Sequence, residues 1–122
     1  MTAYAIAVLR PTPPVHPDVL EYIERVQSTF EPYGGRFLSH GKQGEWLEGR
    51  SLGDLVIVEF PDLPQAHAWY ASPAYQEILP LRTAHIPGEL VFLEGVPGDY
   101  DAGRTAGAMR EASSRPDVAP AV

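Results

Sequence analysis

Asp54-Leu55-Val56-Ile57-Val58-Glu59-Phe60 is the stretch whose reading decides the fold. Three β-branched residues in succession, Val56, Ile57 and Val58, are stiff at χ1 and suit a pleated surface better than a helix. Side chains alternate along a strand, so Leu55, Ile57 and Glu59 share one face while Val56, Val58 and Phe60 share the other. Both faces are apolar apart from Glu59, as in a strand that is covered on both sides.

Just upstream, residues 36–40, Arg36-Phe37-Leu38-Ser39-His40, read as the strand that pairs with it in antiparallel fashion. The polar, glycine-rich connection 41–53 joins the two, and Trp46-Leu47-Glu48 could prolong the hairpin. Further back, residues 4–9 form a short apolar run that reads as a first strand. It ends at Arg10-Pro11-Thr12-Pro13-Pro14, because proline cannot donate to a ladder. Between these strands Leu20, Ile23, Val26, Phe30 and Tyr33 recur at steps of three or four, which is helical spacing. His16-Pro17-Asp18 supplies a helix start and Pro32 with Gly34-Gly35 a stop.

Downstream, Pro61-Asp62-Leu63-Pro64 closes the strand, residues 65–71 read as a second helix, and Ser72-Pro73 starts another helical segment carrying Tyr75, Ile78 and Leu79. Pro80 is expected to kink or divide that segment. Residues 89–96 form the last strand. The order is β-α-β-β-α-β, a ferredoxin-like α+β fold with a four-stranded antiparallel sheet packed on helices. Residues 1–97 make this domain. Residues 98–122 are rich in Gly, Ala, Ser, Asp and Pro without a periodic apolar face, and read as a tail that is flexible alone or docks on a partner subunit.

The 122 residues fit one domain, and an apolar fraction of 44% supports a real but thin core. A sheet with two apolar faces in so small a domain gains from a second subunit, so a homodimer is expected. Nine Lys and Arg against sixteen Asp and Glu give a net charge of -7, which argues against nucleic acid and anionic membranes as partners. No run of about eighteen apolar residues and no signal-like leader is present, so a cytoplasmic protein without a membrane span is expected. The chain has no cysteine, which removes disulfides, thiolate catalysis and cysteine metal sites.

Four polar side chains stand out on the strands. If the faces of adjoining strands coincide, Tyr4, Arg36, His40 and Glu59 project into one cavity. Glu59 has two readings. It pairs with Arg36 or Arg82 to neutralise a buried charge, or it moves a proton while an arginine holds a substrate oxygen. His40 is a strand-end histidine at the surface or an acid/base group that titrates near neutrality. Ser72 lacks the Gly-x-Ser-x-Gly setting of a nucleophile and reads as a helix cap. His16, His40, His67 and His85 show neither His-x-His nor His-x-x-x-His spacing, and no phosphate-binding glycine loop occurs, so no metal and no cofactor are expected.

Several blocks occur together in order: Tyr33-Gly34-Gly35-Arg36-Phe37-Leu38, Leu47-Glu48-Gly49, Val58-Glu59-Phe60-Pro61, Trp69-Tyr70-Ala71-Ser72-Pro73-Ala74-Tyr75 and Leu81-Arg82. Together they resemble the domain-of-unknown-function family 1330, a branch of the dimeric α/β-barrel superfamily, over about residues 4–96. The resemblance implies a dimeric barrel with a cavity between sheet and helices, or between two sheets, lidded by the second-helix region. Trp69, Ser72, Tyr75 and Arg82 hold the matching positions. His40 stands where other branches carry arginine, which weakens a fixed-charge anion site there.

Relatives in the superfamily include cofactor-independent monooxygenases and lactone isomerases. The resemblance therefore implies a cofactor-independent enzyme doing acid/base chemistry, by isomerisation, cyclisation or elimination, on a small oxygenated metabolite, neutral or anionic. Glu59, His40 and Tyr75 are the candidate catalytic residues, and Arg36, Arg82, Tyr4, Trp69 and Ser72 the candidate substrate-binding ones. The alternative is a dimer that binds a ligand without turnover or is purely structural.

Overall fold

Alternation in Ala3–Leu9 (β1) sets the architecture: Ala3, Ala5 and Ala7 are buried, while Tyr4, Ile6 and Val8 point to the other face. The computed structural model describes residues 1–114. Its sheet contains Arg36–Lys42 (β2), Asp54–Phe60 (β3) and Gly88–Glu94 (β4) in the order β2-β3-β1-β4, every neighbouring pair antiparallel. Register joins Ala5 to Val58 and Ala3 to Phe60, so the alanine face of β1 and the Val56, Val58, Phe60 face of β3 are one surface. Three helices cover it: Pro17–Phe30 (α1), Leu63–Ala71 (α2) and Pro73–Thr83 (α3). This is the expected four-stranded ferredoxin-like arrangement.

The helix termini follow local chemistry. His16 caps α1, its Nδ1 accepting from the Asp18 backbone N–H at 3.0 Å, with Pro17 in the first turn. The chain leaves α1 through a 3₁₀ turn, Glu31–Tyr33, and Gly34 at φ +76°. A Cβ on Gly35 would lie 2.9 Å from both the Phe30 and Phe60 rings, so helix and sheet close together only over glycine. Asp62 caps α2 by accepting from Gln65 N at 2.9 Å.

Trp69 centres the core. It lies 4.2 Å from Tyr75, 5.4 Å from Phe60 and 6.2 Å from Phe30, measured between ring centroids. Its indole N–H donates to Thr29 Oγ1 at 3.0 Å, and that hydroxyl in turn donates to the Val26 carbonyl at 2.6 Å. The polar handle of a buried tryptophan is thereby satisfied.

Several expectations are corrected. The buried stripe of α1 is Val19, Val26, Thr29 and Phe30: Val26 and Phe30 are buried as expected, while Leu20 and Ile23 are half exposed and Val19 takes the inward place in the first turn. The hairpin does not extend through Trp46-Leu47-Glu48: residues 43–53 form a loop in which Leu47 is 94% exposed. α3 runs through Pro80 without being divided.

The tail contains a helix where none was expected, Ala102–Ser113 (α4), capped by Asp101 and with no buried residue. Its alanines, arginines and methionine are strong helix formers, so propensity rather than an apolar stripe builds it. The rest of the predicted tail, 115–122, lies outside the described residues. No helix among the described residues is long and apolar enough to cross a membrane.

The second face of the sheet carries Tyr4, Ile6, Val8, Leu55 and Ile57, with Val91 and Leu93 each 55% exposed. None of the three packed helices lies on it, because they all cover the alanine side.

Candidate functional site

Alanine at positions 5 and 7 of the central strand leaves the helix-facing side of the sheet short of bulk. The space left between that strand, α1 and α3 is a cavity of about 410 Å³, lined in part by Ala5, Ala7, Val56, Val58 and Leu90. Its size lies within the range of small-molecule sites. The walls are mainly apolar, and the polar groups that reach it include Tyr22 of α1, Tyr75 and Arg82 of α3, His16 and His85 at the ends of these helices, and His40 and Asp54 from the sheet.

Tyr22 of α1 and Tyr75 of α3 join their hydroxyls at 2.8 Å. Arg82, two turns after Tyr75, donates from Nη2 to the Tyr75 hydroxyl at a long 3.5 Å, and its guanidinium carbon lies 5.4 Å from the centre of the Tyr22 ring. Arg82 is buried at 8% exposure, yet no carboxylate among the described residues pairs with it. A buried cation without a counter-ion is unusual, since charges inside proteins are normally paired.

One turn towards the start of α1, Asp18 Oδ2 accepts from His85 Nε2 at 3.0 Å. The His85 ring stacks on His16 with centroids 3.7 Å apart and planes 14° from parallel. His16, His85 and Arg82 all line the cavity. Asp18 and Tyr22 are four residues apart on α1 and so lie along one side of it, while His85 follows the end of α3 in a turn, its backbone N–H donating to the Arg82 carbonyl at 3.1 Å. The ligating atoms of His16, Asp18 and His85 fall within 4.8 Å of one another, close enough for a divalent ion. Those atoms are already engaged: His16 Nδ1 with the Asp18 backbone N–H, and His85 Nε2 with the Asp18 carboxylate.

The residues singled out from sequence divide between two places. Register shifts on either side of Ser39 in β2 turn His40 to the helix side, where it stacks on Phe37 at 4.3 Å and lines the cavity. Arg36 keeps the opposite direction and donates from Nε to Glu59 Oε1 at 2.9 Å, with Tyr4 beside Glu59 in the ladder. The expected joint cavity of Tyr4, Arg36, His40 and Glu59 is thus corrected: the bulge separates His40 from the other three. Of the two partners considered for Glu59, the structure has Arg36.

Trp69, Tyr75 and Arg82 line the cavity together. Ser72 does not line it. It links α2 to α3, its hydroxyl donating to the Trp69 carbonyl at 2.6 Å and accepting from Tyr75 N at 3.3 Å, which is the capping role. Tyr22, Asp18, His16 and His85 were missed as site residues. The signal was present in the Asp18–Tyr22 and Arg82–His85 spacings, but only the packing of α1 on α3 joins them.

Burial, ahead of the neighbouring Tyr75, pushes the Tyr22 phenol well above the usual tyrosine range, with Arg82 pulling the other way. Tyr22 is therefore a neutral O–H and does not serve as counter-ion to Arg82. Because its folded affinity for the proton exceeds the unfolded one, the associated stability is complete below about pH 10 and is lost as pH rises further. We expect denaturant midpoints to fall above about pH 10, and Tyr22→Phe to flatten that slope. An equally steep alkaline loss in Tyr22→Phe would contradict this.

Fold and site together define a ferredoxin-like α+β domain with a ligand-sized cavity between its helices and its sheet. The chain belongs to the family described as a domain of unknown function (DUF1330), whose profile matches residues 2–96. No curated protein matches it in sequence. Among solved structures it is similar to a protein of unknown function from Rhodopseudomonas palustris, with 20% identity, a TM-score of 0.61 and coverage of 79% of this chain and 83% of that one. It is also similar to a dimeric ferredoxin-like protein of unknown function from Jannaschia sp. CCS1, with 13% identity, a TM-score of 0.59 and coverage of 78% and 100%. A dimeric ferredoxin-like protein of unknown function from Thermobifida fusca follows at 16% identity, a TM-score of 0.52 and coverage of 78% and 92%.

Proposed function

We propose that this chain is a homodimeric small-molecule-binding protein whose helix–sheet cavity carries out acid/base chemistry on a small oxygenated metabolite, without metal or organic cofactor. The observation that carries the reading is Arg82, a buried guanidinium with no carboxylate partner among the described residues, opening with Tyr75 onto a mainly apolar cavity. Such a group polarises a substrate carbonyl or stabilises an enolate oxygen where water is scarce. Tyr75 donates or accepts beside it, and Trp69 forms part of the apolar wall. His40, joined by His85 with its Asp18 partner, supplies imidazoles that can move the proton. Isomerisation, cyclisation and elimination all need only these parts. Glu59, Arg36 and Tyr4 belong instead to the second sheet face, where the ion pair serves structure.

The dimer part of the reading rests on that face, where exposed Val91 continues the row of Ile6 and Ile57 and exposed Leu93 lies beside Tyr4. The related proteins from Jannaschia and Thermobifida are described as dimeric.

Incubation with a metabolite extract, followed by NMR, tests catalysis. We expect consumption of one metabolite, with turnover reduced about 10²-fold or more in His40→Ala or His85→Ala while its affinity changes little. Saturable binding of a metabolite that the protein never converts would favour the alternative of a ligand-binding protein.

A further inference from the structure

We infer that the ligand is a monoanion with an apolar body, held by a carboxylate or an equivalent oxyanion between Arg82, Tyr22 and Tyr75. This rests on the reading of the cavity as the ligand site and adds the charge and shape of what enters it.

Donor counting carries the argument. Arginine offers five N–H donors and no acceptor. Among the described residues Arg82 has one hydrogen-bond acceptor, the Tyr75 hydroxyl, and that bond is long at 3.5 Å. The two phenols offer two protons, and the bond between them consumes one. The other phenol proton has no protein acceptor among the described residues. Among the described residues no sealed side-chain nitrogen or oxygen is left without a partner, so the unused N–H groups of Arg82 open onto accessible space. The cavity end therefore presents one positive charge and more donors than acceptors, the two phenol oxygens being the acceptors there. A planar two-oxygen anion satisfies it, whereas a neutral amide brings a single acceptor and further donors.

The rest of the cavity sets the body of the ligand. Ala5, Ala7, Val26, Val58 and Leu90 offer no polar side chain. Among the described residues, Asp54 of β3 lines the cavity, and Asp18 stands behind the lining residue His85, 3.0 Å from its Nε2. A second anionic group on the ligand would meet these, so one negative charge is favoured over two.

Trp69 lines the cavity and Trp46 lies in the 43–53 loop, so fluorescence of the full chain in a Trp46→Phe background reports on the site. Octanoate and 4-phenylbutanoate would be titrated against their neutral amides and against suberate, with calorimetry as the second readout. We expect saturable quenching by the monocarboxylates, roughly ten- to hundredfold weaker binding of the amides, and weak binding of the dianion. Arg82→Met should remove the preference for acid over amide. Tyr22→Phe, which keeps the ring and loses only the hydroxyl, should weaken the acids several-fold even if the arginine variant folds poorly. Acids and amides binding equally would overturn the inference while leaving the cavity as a ligand site. Suberate binding as tightly as octanoate would overturn the single charge. No quenching by any probe would overturn both the inference and the reading beneath it.

Discussion

Trp69→Ala is expected to cost about 3–5 kcal/mol, the range for removing a large aromatic side chain from a packed core. Trp69 is 3% exposed, touches the Phe30, Phe60 and Tyr75 rings, and satisfies Thr29 through its indole N–H. Truncation removes apolar contact with elements α1, β3 and α3 together. It also enlarges the neighbouring cavity, so little collapse compensates the loss. With marginal stability of the usual 5–15 kcal/mol, the variant should melt more than about 10 °C lower or fail to accumulate. Trp69→Phe should recover much of the loss because the ring contacts persist. A Trp69→Ala melting temperature within a few degrees of the wild type would mean that the core is not centred where the structure has it.

Ile57→Lys is expected to convert the proposed homodimer to monomer without unfolding it. Ile57 faces Ile6 across the ladder on the side of the sheet left uncovered by helices, beside Val8 and Leu55. In a dimer built on this face, each lysine would be buried against the apolar surface of the other chain, and a charge without a partner there is costly. In the monomer the same lysine reaches water. Sedimentation should therefore report one chain per particle while far-ultraviolet circular dichroism stays unchanged. Persistence of the dimer would move the interface to another face, with the exposed Leu47 loop and α4 the surfaces to vary next.

Much of the fold was legible because it is written in local pattern. β3 is Asp54–Phe60 as read, since β-branched residues and flanking Gly53 and Pro61 leave no competing structure. The start of α1 at Pro17 follows from a cap, a proline and an acid in series. Where tertiary packing decides, the pattern failed. Leu20 fits the helical period as well as Val19, but only Val19 is carried against the sheet side. Pro80 lies inside α3, which continues through it to Thr83 and is not divided there. α4 has no periodic stripe and forms from residues with intrinsic helix preference.

The site was half legible for the same reason. Tyr75, Arg82 and Trp69 come from one short segment, and their blocks mark them. Strict alternation puts His40 on the Arg36 face, and register shifts around Ser39 are invisible to a period-two reading. Tyr22 and His85 take on meaning only when α1 and α3 lie side by side, 53 residues separating Tyr22 from Tyr75 and 67 separating Asp18 from His85.

Native mass spectrometry of freshly purified protein, under gentle and then denaturing conditions, tests the central claim most directly. The account predicts a dimer that retains a discrete small molecule, released on denaturation and identified as an apolar monoanion, and loses it in Arg82→Met. A ligand-free monomer, or a retained molecule that survives Arg82→Met unchanged, would contradict it.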